Sequence, residues 1–206
     1  QPEKVYLDIE TWKTLPERQL SSGLAETIKH ACLADGEMFD YLEKNIEKIL
    51  VNDKDACEYI AEHNCAVKYK VVMKDERESG LREVLNLGHT VGRAIETVSD
   101  YKLLHGEAVS IGLIAQAKLG EKYGYISPEN VSRVIKLCER AKLPVAIPDY
   151  IDKAALVRKL YTDKKVRDGK LRMVFQKEIG DVMCFGDNDY AKQITEPEIA
   201  EVIDEM

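Results

Sequence analysis

Residues 80–98 read Gly-Leu-Arg-Glu-Val-Leu-Asn-Leu-Gly-His-Thr-Val-Gly-Arg-Ala-Ile-Glu-Thr-Val and separate polar from apolar side chains at helical spacing. At about 100° per residue, five polar side chains fall within about 80° of one another. These are Arg82, Asn86, His89, Arg93 and Glu96. The opposite side carries Leu81, Val84, Leu85, Val91, Ile95 and Val98. The stretch predicts a helix that packs one face into a core, while the amide, imidazole and guanidinium groups of the other face suit anions and metals.

Two glycines, Gly88 and Gly92, fall on the apolar side of this stretch. Each costs about 1 kcal/mol relative to alanine inside a helix. Their position therefore predicts that another backbone approaches closely at this face.

Composition limits the class of protein. The 206 residues are 45% hydrophobic and 33% charged, which fits one globular domain with a substantial core. The net charge is −7 and the basic residues are scattered, so we expect no nucleic-acid partner. We expect a cytoplasmic protein without membrane contact, because no apolar run reaches about 20 residues and the first residues lack a signal-peptide pattern.

The five cysteines indicate reduced thiols rather than a disulfide scaffold. Their number is odd and they form no C-x-x-C pair. They are Cys32, Cys57, Cys65, Cys138 and Cys184.

Local patterns predict a mainly α fold with minor short strands. Capping residues and apolar spacing predict six helices. They cover 21–34 with Ser21 or Ser22 as the cap, Gly36–Leu50, 55–74, 80–98, 105–124 and 128–140. A short strand is expected at 5–7, and a hairpin is expected to pair 172–175 with 182–185 around a turn at 178–181. The proline-rich stretch 144–148 is expected to form a loop.

The four histidines, at positions 30, 63, 89 and 105, raise the question of a metal site. A lone helical histidine is more often structural or exposed than a ligand. However, His89 lies on the polar face, His105 begins a helix after an apolar pair, and Glu26 lies early in an otherwise apolar helix. Two histidines and one carboxylate form a common catalytic zinc set. The wide spacing leaves open a second interpretation, a local i, i+4 pair of Glu26 with His30.

Several motifs together resemble those of the 3-dehydroquinate synthase family in residue identity and in order along the chain. They are Gly23-Leu24-Ala25-Glu26-Thr27-Ile28-Lys29, Lys68 with Val71-Val72, Asp75-Glu76-Arg77-Glu78-Ser79-Gly80-Leu81-Arg82, Leu85-Asn86-Leu87-Gly88-His89-Thr90, His105-Gly106-Glu107-Ala108-Val109, Asp163-Lys164-Lys165 and Gly169. The resemblance spans essentially the whole chain but corresponds only to the C-terminal part of that enzyme.

The resemblance implies a helical C-terminal domain over residues 1–206 and assigns roles to its matching residues. The implied ligands of a divalent metal, zinc or cobalt, are Glu26, His89 and His105. The implied catalytic or substrate-binding residues are Lys29, Lys68, Arg82, Asn86 and one or both of Lys164 and Lys165. Thr14 and Leu15 resemble the segment that touches the NAD cofactor, but capping and turn formation explain those two residues equally well.

The reaction implied by the resemblance is the lyase step of the shikimate pathway that forms 3-dehydroquinate. A seven-carbon phosphorylated keto-acid, 3-deoxy-arabino-heptulosonate 7-phosphate, is oxidised by NAD⁺, loses phosphate, is reduced again and closes to a carbocycle. The implied cations suit a substrate that carries a carboxylate and a phosphate.

Two features depart from the family pattern. The chain contains no G-x-G-x-x-G, so we expect the NAD-binding N-terminal domain to be absent from these residues and the chain alone to bind NAD weakly and to be inactive. Arg93 stands where the family has a second histidine, in Gly-His-Thr-x-Gly-His-Ala. Arginine can bind phosphate but cannot accept a proton near neutral pH.

Other functions stay open on sequence alone. A related sugar-phosphate cyclase or a metal-dependent polyol dehydrogenase would differ in substrate, and a non-catalytic helical binding module would not need a stoichiometric metal. The expected partners are an anionic sugar phosphate and the NAD-binding domain, and a homodimer is left open.

Overall fold

The computed structural model describes residues 3–77, 80–162 and 171–206 and shows a helical fold with two small antiparallel sheets. The α-helices are α1 (Glu17–Ala34), α2 (Gly36–Leu50), α3 (Lys54–Lys74), α4 (His89–Val98), α5 (His105–Lys122), α6 (Pro128–Arg140), α7 (Lys153–Thr162) and α8 (Glu196–Asp204). The strands are β1 (Leu171–Val174), β2 (Gln176–Glu178), β3 (Asp181–Val182) and β4 (Ala191–Ile194). Two 3₁₀ helices cover Ile9–Thr14 and Leu81–Asn86. The predicted fold class is confirmed.

Helix α5 is the centre of the molecule. Of its 18 residues, 13 are buried, so the helix is enclosed on all sides rather than amphipathic. One core lies between α5 and the group α1, α2, α3 and α6. The second core lies between α5 and the group α4, α7, α8 and β1. Elements on both sides are therefore positioned relative to one helix.

Helices with strong local signals begin and end where the sequence predicts. Asp35 accepts a hydrogen bond from the amide of Met38 and caps α2 at its predicted bounds. Ser127 caps α6 in the same way, with Pro128 at the first helical position. The loop at 144–148 is confirmed, and all five cysteines are free. None of the helices in the described ranges is long and apolar enough to cross a membrane.

The prediction of one continuous helix over residues 80–98 is wrong. A 3₁₀ helix over Leu81–Asn86 precedes α4, and the chain turns between them at Gly88, whose φ is 77°. Glycine adopts this left-handed conformation without the steric cost of a Cβ atom. Arg82 and Asn86 therefore do not share a face of one continuous helix with His89.

Helix α1 also differs from its predicted start. It begins at Glu17, one turn before the predicted cap, with Pro16 before it. Ser22 does not cap α1, because its hydroxyl accepts a hydrogen bond from the amide of Gly106 at 3.0 Å. Helix α5 ends at Lys122, two residues before its predicted end at Gly124.

The strand predictions needed two corrections. Residues 5–7 form no strand in the described chain, and their side chains are exposed, because a strand requires a neighbouring strand to satisfy its backbone. The turn at 178–181 is correct, but it joins β2 to β3, whereas β1 pairs with β4. The β1–β4 register places Leu171 opposite Ile194, and both side chains are buried. Helices α7 and α8 were not predicted.

Candidate metal centre

Three polar side chains from three helices meet at one point. Glu26 lies in the third turn of α1, and His89 and His105 are the first residues of α4 and α5. The Oε1 atom of Glu26 is 3.4 Å from Nε2 of His89 and 3.6 Å from Nε2 of His105. Among the residues that the structure describes, this is the one cluster of histidine, cysteine and carboxylate ligands close enough to hold a metal ion.

Both imidazole rings are oriented through their Nδ1 atoms. Nδ1 of His89 lies 3.1 Å from the carbonyl oxygen of Leu87, and Nδ1 of His105 lies 3.1 Å from Oε1 of Glu96. A carbonyl and a carboxylate can only accept hydrogen bonds, so each Nδ1 carries the hydrogen. In a neutral ring, Nε2 is then a bare acceptor that faces Oε1 of Glu26.

These three atoms are suited to a cation. Oε1 of Glu26 is buried and has no hydrogen-bond donor. Ligands at about 2.0–2.1 Å around a tetrahedral zinc ion lie about 3.3 Å apart, close to the two distances from Oε1. Three acceptor atoms without a hydrogen between them repel one another unless a positive charge lies among them. The residues therefore fit a divalent metal with one open position.

Lys29 adds a buried positive charge beside this cluster. Its Nζ is 2.7 Å from Oε2 of Glu26 and 3.2 Å from the carbonyl of Leu85, and its side chain is 3% exposed. Burial alone would raise the pKa of Glu26, but the charge and hydrogen bond of Lys29, together with smaller contributions from two histidines, make the net shift downward. Burial lowers the pKa of Lys29, and the charge of Glu26 offsets only part of this.

The same environment keeps His89 neutral. The pKa of His89 is lowered to about 4, first by burial and then by the Lys29 ammonium, while Glu26 opposes the shift. A neutral imidazole is the form that binds metals.

Glycines on α5 allow the three helices to approach closely. A Cβ atom on Gly106 would overlap the carbonyl oxygen of Ser22 in α1. A Cβ atom on Gly112 would overlap the carbonyl oxygen of Gly88 and lie 2.7 Å from the amide nitrogen of Gly92. The first contact places α1, and therefore Glu26, beside the start of α5. The second contact places the turn before His89, and confirms the predicted close approach at Gly88 and Gly92.

Two further predicted cations, Lys68 and Arg93, lie near this cluster with exposed side chains. Arg93 is one helical turn beyond His89 on α4. Burial lowers the pKa of Lys29 most and Glu26 opposes this effect. The charges of Lys68 and Arg93 lower the pKa further by smaller amounts. The structure therefore brings both cations within electrostatic reach of the three-ligand cluster.

Arg82 and Asn86 occupy the 3₁₀ helix that precedes the His89 turn. The amide of Arg82 donates to Asp75, and its guanidinium donates to the carbonyl of Glu76 at 3.2 Å. Asn86 is the last residue of this 3₁₀ helix and is half-buried. Their position is fixed by this local turn and not by the face of a longer helix.

The alternative pair of Glu26 with His30 does not form. Nδ1 of His30 lies 2.9 Å from Oδ1 of Asn64, whose amide donates to Thr27. Glu26 is bonded to Lys29 instead. His30 therefore takes part in the packing of α1 against α3.

The predicted cofactor contacts lie at the end of the first 3₁₀ helix. Thr14 and Leu15 are exposed. The hydroxyl of Thr14 donates to the carbonyl of Thr11 at 2.8 Å, so Thr14 also has the turn-forming role that was the alternative to cofactor contact. Lys164 and Lys165 lie outside the described residues.

Sequence reasoning did not identify Glu96 or the Leu87 carbonyl as the groups that orient the imidazoles, and it did not single out the buried Gln116. Glu96 belongs to the polar set of residues 80–98, and its spacing of seven residues from His89 was the available signal. Gln116 lies at the centre of the apolar run Ile114-Ala115-Gln116-Ala117, where a 1% exposed amide needs partners. Nothing in the sequence indicates that the Leu87 carbonyl orients His89.

Comparison with known sequences identifies the family of the chain. The family model of the 3-dehydroquinate synthase C-terminal domain matches residues 23–166. A 3-dehydroquinate synthase from Ruminiclostridium cellulolyticum is 41% identical over 196 residues, which cover 94% of this chain and 54% of the relative. One from Methylococcus capsulatus is 46% identical over 182 residues, 88% of this chain and 51% of the relative. The chain spans about half the length of the curated relatives that it matches.

Solved structures share the fold. A 2-epi-5-epi-valiolone synthase from Streptomyces hygroscopicus subsp. jinggangensis, with NAD⁺ and Zn²⁺ bound, has a TM-score of 0.83 at 26% identity. The alignment covers 95% of this chain and 53% of that one. A 2-deoxy-scyllo-inosose synthase complexed with carbaglucose-6-phosphate, NAD⁺ and Co²⁺ has a TM-score of 0.85 at 23% identity, covering 96% and 55%. On its sequence match and its fold, the chain belongs to the 3-dehydroquinate synthase family and corresponds to the C-terminal domain of that family.

Proposed function

We propose that this chain is the metal- and substrate-binding part of a 3-dehydroquinate synthase. The reaction is the NAD-dependent elimination of phosphate from 3-deoxy-arabino-heptulosonate 7-phosphate and closure of the ring to 3-dehydroquinate. The observation that carries the proposal is the convergence of Glu26, His89 and His105, in which the buried Oε1 of Glu26 has no hydrogen-bond donor. A family match alone would also fit a domain that had lost its chemistry.

In this proposal Glu26, His89 and His105 hold one divalent cation, zinc or cobalt. The cation supplies Lewis acidity to a substrate hydroxyl and helps to orient the substrate. The valiolone synthase with the same fold binds Zn²⁺, which supports this assignment. Glu96 and the Leu87 carbonyl orient the two histidine ligands, as outer partners of metal-binding histidines commonly do.

The cations around the cluster bind the anionic groups of the substrate. Lys68 and Arg93 act electrostatically on Lys29 near the metal ligands, and a carboxylate or phosphate would compensate these charges. We assign Arg82 and Asn86 to substrate orientation, and Lys164 or Lys165 to a further anion contact.

NAD supplies the hydride chemistry, and we assign most of its binding site to the N-terminal NAD-binding domain that the family resemblance implies, outside these residues. Thr14 and Leu15 are proposed to contact the cofactor from this side, where both are exposed. The 206 residues alone are expected to bind NAD⁺ weakly and to catalyse no turnover.

Removal of either histidine is expected to abolish stoichiometric metal binding. His89→Ala or His105→Ala should weaken zinc binding by roughly 100-fold or more, because only two of three ligands remain. Calorimetric titration with Zn²⁺ measures this directly. Zinc at 100 times its Kd should also stabilise the parent by about 2.7 kcal/mol and each variant by no more than about 0.4 kcal/mol.

His30→Ala is the matched control, because His30 lies one turn from Glu26 but hydrogen-bonds Asn64. It should keep the parent affinity. If His89→Ala and His105→Ala hold zinc as well as the parent does, the metal site lies elsewhere. A parent that binds no zinc at all would favour the non-catalytic binding module.

A second candidate function, another sugar-phosphate cyclase, is favoured by Arg93 and by the likeness to the valiolone synthase. Arg93 strengthens the attraction for an anionic substrate but cannot transfer a proton as a histidine can. We expect Arg93→His to raise turnover of the heptulosonate phosphate by the full-length protein with NAD⁺ and to weaken inhibition by inorganic phosphate. Phosphate release and the inhibition constant are the measurements.

A lower turnover in Arg93→His would indicate an enzyme adapted to arginine and would favour the second candidate. Unchanged turnover and unchanged phosphate inhibition would remove Arg93 from the active site.

A further inference from the structure

One buried amide lies behind the His89 ligand. Gln116, in the middle of α5, is 1% exposed and has hydrogen bonds at both ends of its side chain. Its Oε1 accepts from the backbone N–H of Gly88, and its Nε2 donates to the carbonyl of Val174 in β1 at 2.8 Å. Since one partner is a pure donor and the other a pure acceptor, both ends of the amide are assigned without ambiguity.

The N–H that Gln116 binds belongs to the peptide group that orients His89. The amide of Gly88 and the carbonyl of Leu87 are part of the same planar unit. That carbonyl accepts from Nδ1 of His89 at 3.1 Å. If the N–H is fixed by Gln116, the carbonyl on the opposite side of the plane is fixed as well.

The need for such a partner follows from local geometry. Gly88 has a φ of 77°, and Leu87 lies between a 3₁₀ helix and an α-helix, so no regular helical hydrogen bond determines this peptide plane. Glycine has the widest backbone freedom of any residue, which makes the turn easy to form but also easy to rotate. A buried hydrogen bond from another helix supplies the missing constraint.

We propose that Gln116 is a positioning residue for the metal centre: it fixes the Leu87–Gly88 peptide plane and thereby the direction of Nε2 of His89. The hydrogen bonds of Gln116 go to Gly88 and Val174 and not to any of the three metal ligands. It acts through the peptide, just as Glu96 acts directly on His105. This inference rests on the proposed metal site only for its consequence for metal affinity, because the hydrogen bonds themselves do not require a metal.

Two substitutions separate positioning from packing. Gln116→Met keeps the length of the side chain and removes both hydrogen bonds. We expect it to weaken zinc binding by about 10-fold or more, the range seen when an outer partner of a histidine ligand is lost. Gln116→Glu keeps an oxygen acceptor for the Gly88 N–H, so we expect zinc affinity within about threefold of the parent, even though the Val174 bond changes and stability falls.

Gln176→Met is the matched control. Gln176 is also 1% exposed, but it begins β2 and makes none of the hydrogen bonds at the Leu87–Gly88 peptide. It should leave zinc affinity unchanged. The melting temperature of each metal-free variant shows whether the variant is folded before its affinity is interpreted.

A second readout does not depend on metal. Nitrogen-15 NMR of the metal-free protein should show His89 as the Nδ1–H tautomer in the parent and in Gln116→Glu, and as a mixture of tautomers in Gln116→Met. If the parent binds no zinc, the metal proposal fails and the tautomers alone decide the role of Gln116.

Parent-like zinc affinity together with a parent-like tautomer in Gln116→Met would overturn the inference. If Gln116→Met does not fold, Gln116→Glu decides. A tenfold loss of affinity in folded Gln116→Glu, which retains the acceptor, would count against a role for the Gly88 hydrogen bond.

Discussion

Gly106→Ala is expected to destabilise the protein and to separate Glu26 from His105. A methyl group at this position overlaps the carbonyl oxygen of Ser22, which belongs to the backbone of α1 and cannot rotate away. Overpacking of this kind costs about 1–3 kcal/mol and more where backbone must move. We expect roughly 3 kcal/mol, which for a chain of this size corresponds to a fall in Tm of about 6–12 °C.

The same displacement should weaken metal binding. Gly106 is adjacent to His105, and Ser22 precedes Glu26 by one helical turn, so movement of α1 away from α5 lengthens the distance between their ligand atoms. A loss of zinc affinity of at least about tenfold is expected, since two ligands no longer meet at one ion. Thermal unfolding and calorimetry measure the two effects.

Gly23→Ala provides the control for this prediction. Gly23 is next to Ser22 in α1, and a Cβ atom there would meet nothing within 4 Å. The change should stabilise α1 by up to about 1 kcal/mol, because alanine is the better helix former. If Gly106→Ala is as stable as Gly23→Ala, the α1–α5 contact is looser than the distance from Gly106 to Ser22 indicates.

Gly112→Ala is expected to have an effect of similar size through the other side of α5. Its methyl group would overlap the carbonyl oxygen of Gly88 and would lie 2.7 Å from the amide nitrogen of Gly92. Both neighbours are backbone atoms of the turn that carries His89. We expect a loss of roughly 3 kcal/mol in stability and a loss of zinc affinity of about tenfold or more.

The matched variant in the same helix is Gly120→Ala. There a Cβ atom would lie 3.4 Å from the side chains of Ile126 and Phe175, which is ordinary contact with atoms that can adjust. It should change stability by less than about 1 kcal/mol and leave zinc affinity unchanged. Equal behaviour of the two alanine variants would show that the approach of α4 to α5 tolerates a methyl group.

Helices whose ends are determined locally could be predicted from the sequence. Helices α2 and α6 begin at capping residues whose side chains bond amides three residues later, so the information lies within one turn. The motif positions of Glu26, His89 and His105 were also visible, and the structure brings them together. Their role as metal ligands stays a prediction that the zinc titration tests.

Features that depend on distant partners could not be predicted. The break at Gly88 involves a hydrogen bond to Gln116, 28 residues further along the chain. Strand β1 pairs with β4 rather than with the nearer segment around Val182, because burial of Leu171 opposite Ile194 decides the pairing. The choice of Glu26 between His30 and Lys29 was settled by Asn64 in α3, which binds His30.

The sequence by itself determined the helical class, the bounds of the well-capped helices, and the identity of the chemical groups, since propensity, capping and residue type act over a few residues. Only the tertiary structure decided where those groups meet and how they are oriented. Glycines without Cβ atoms let α1 and α4 touch α5, and the hydrogen bonds of Glu96 and of the buried Gln116 cross between elements. The physical reason is that close approach and burial select one geometry among several that the local sequence permits.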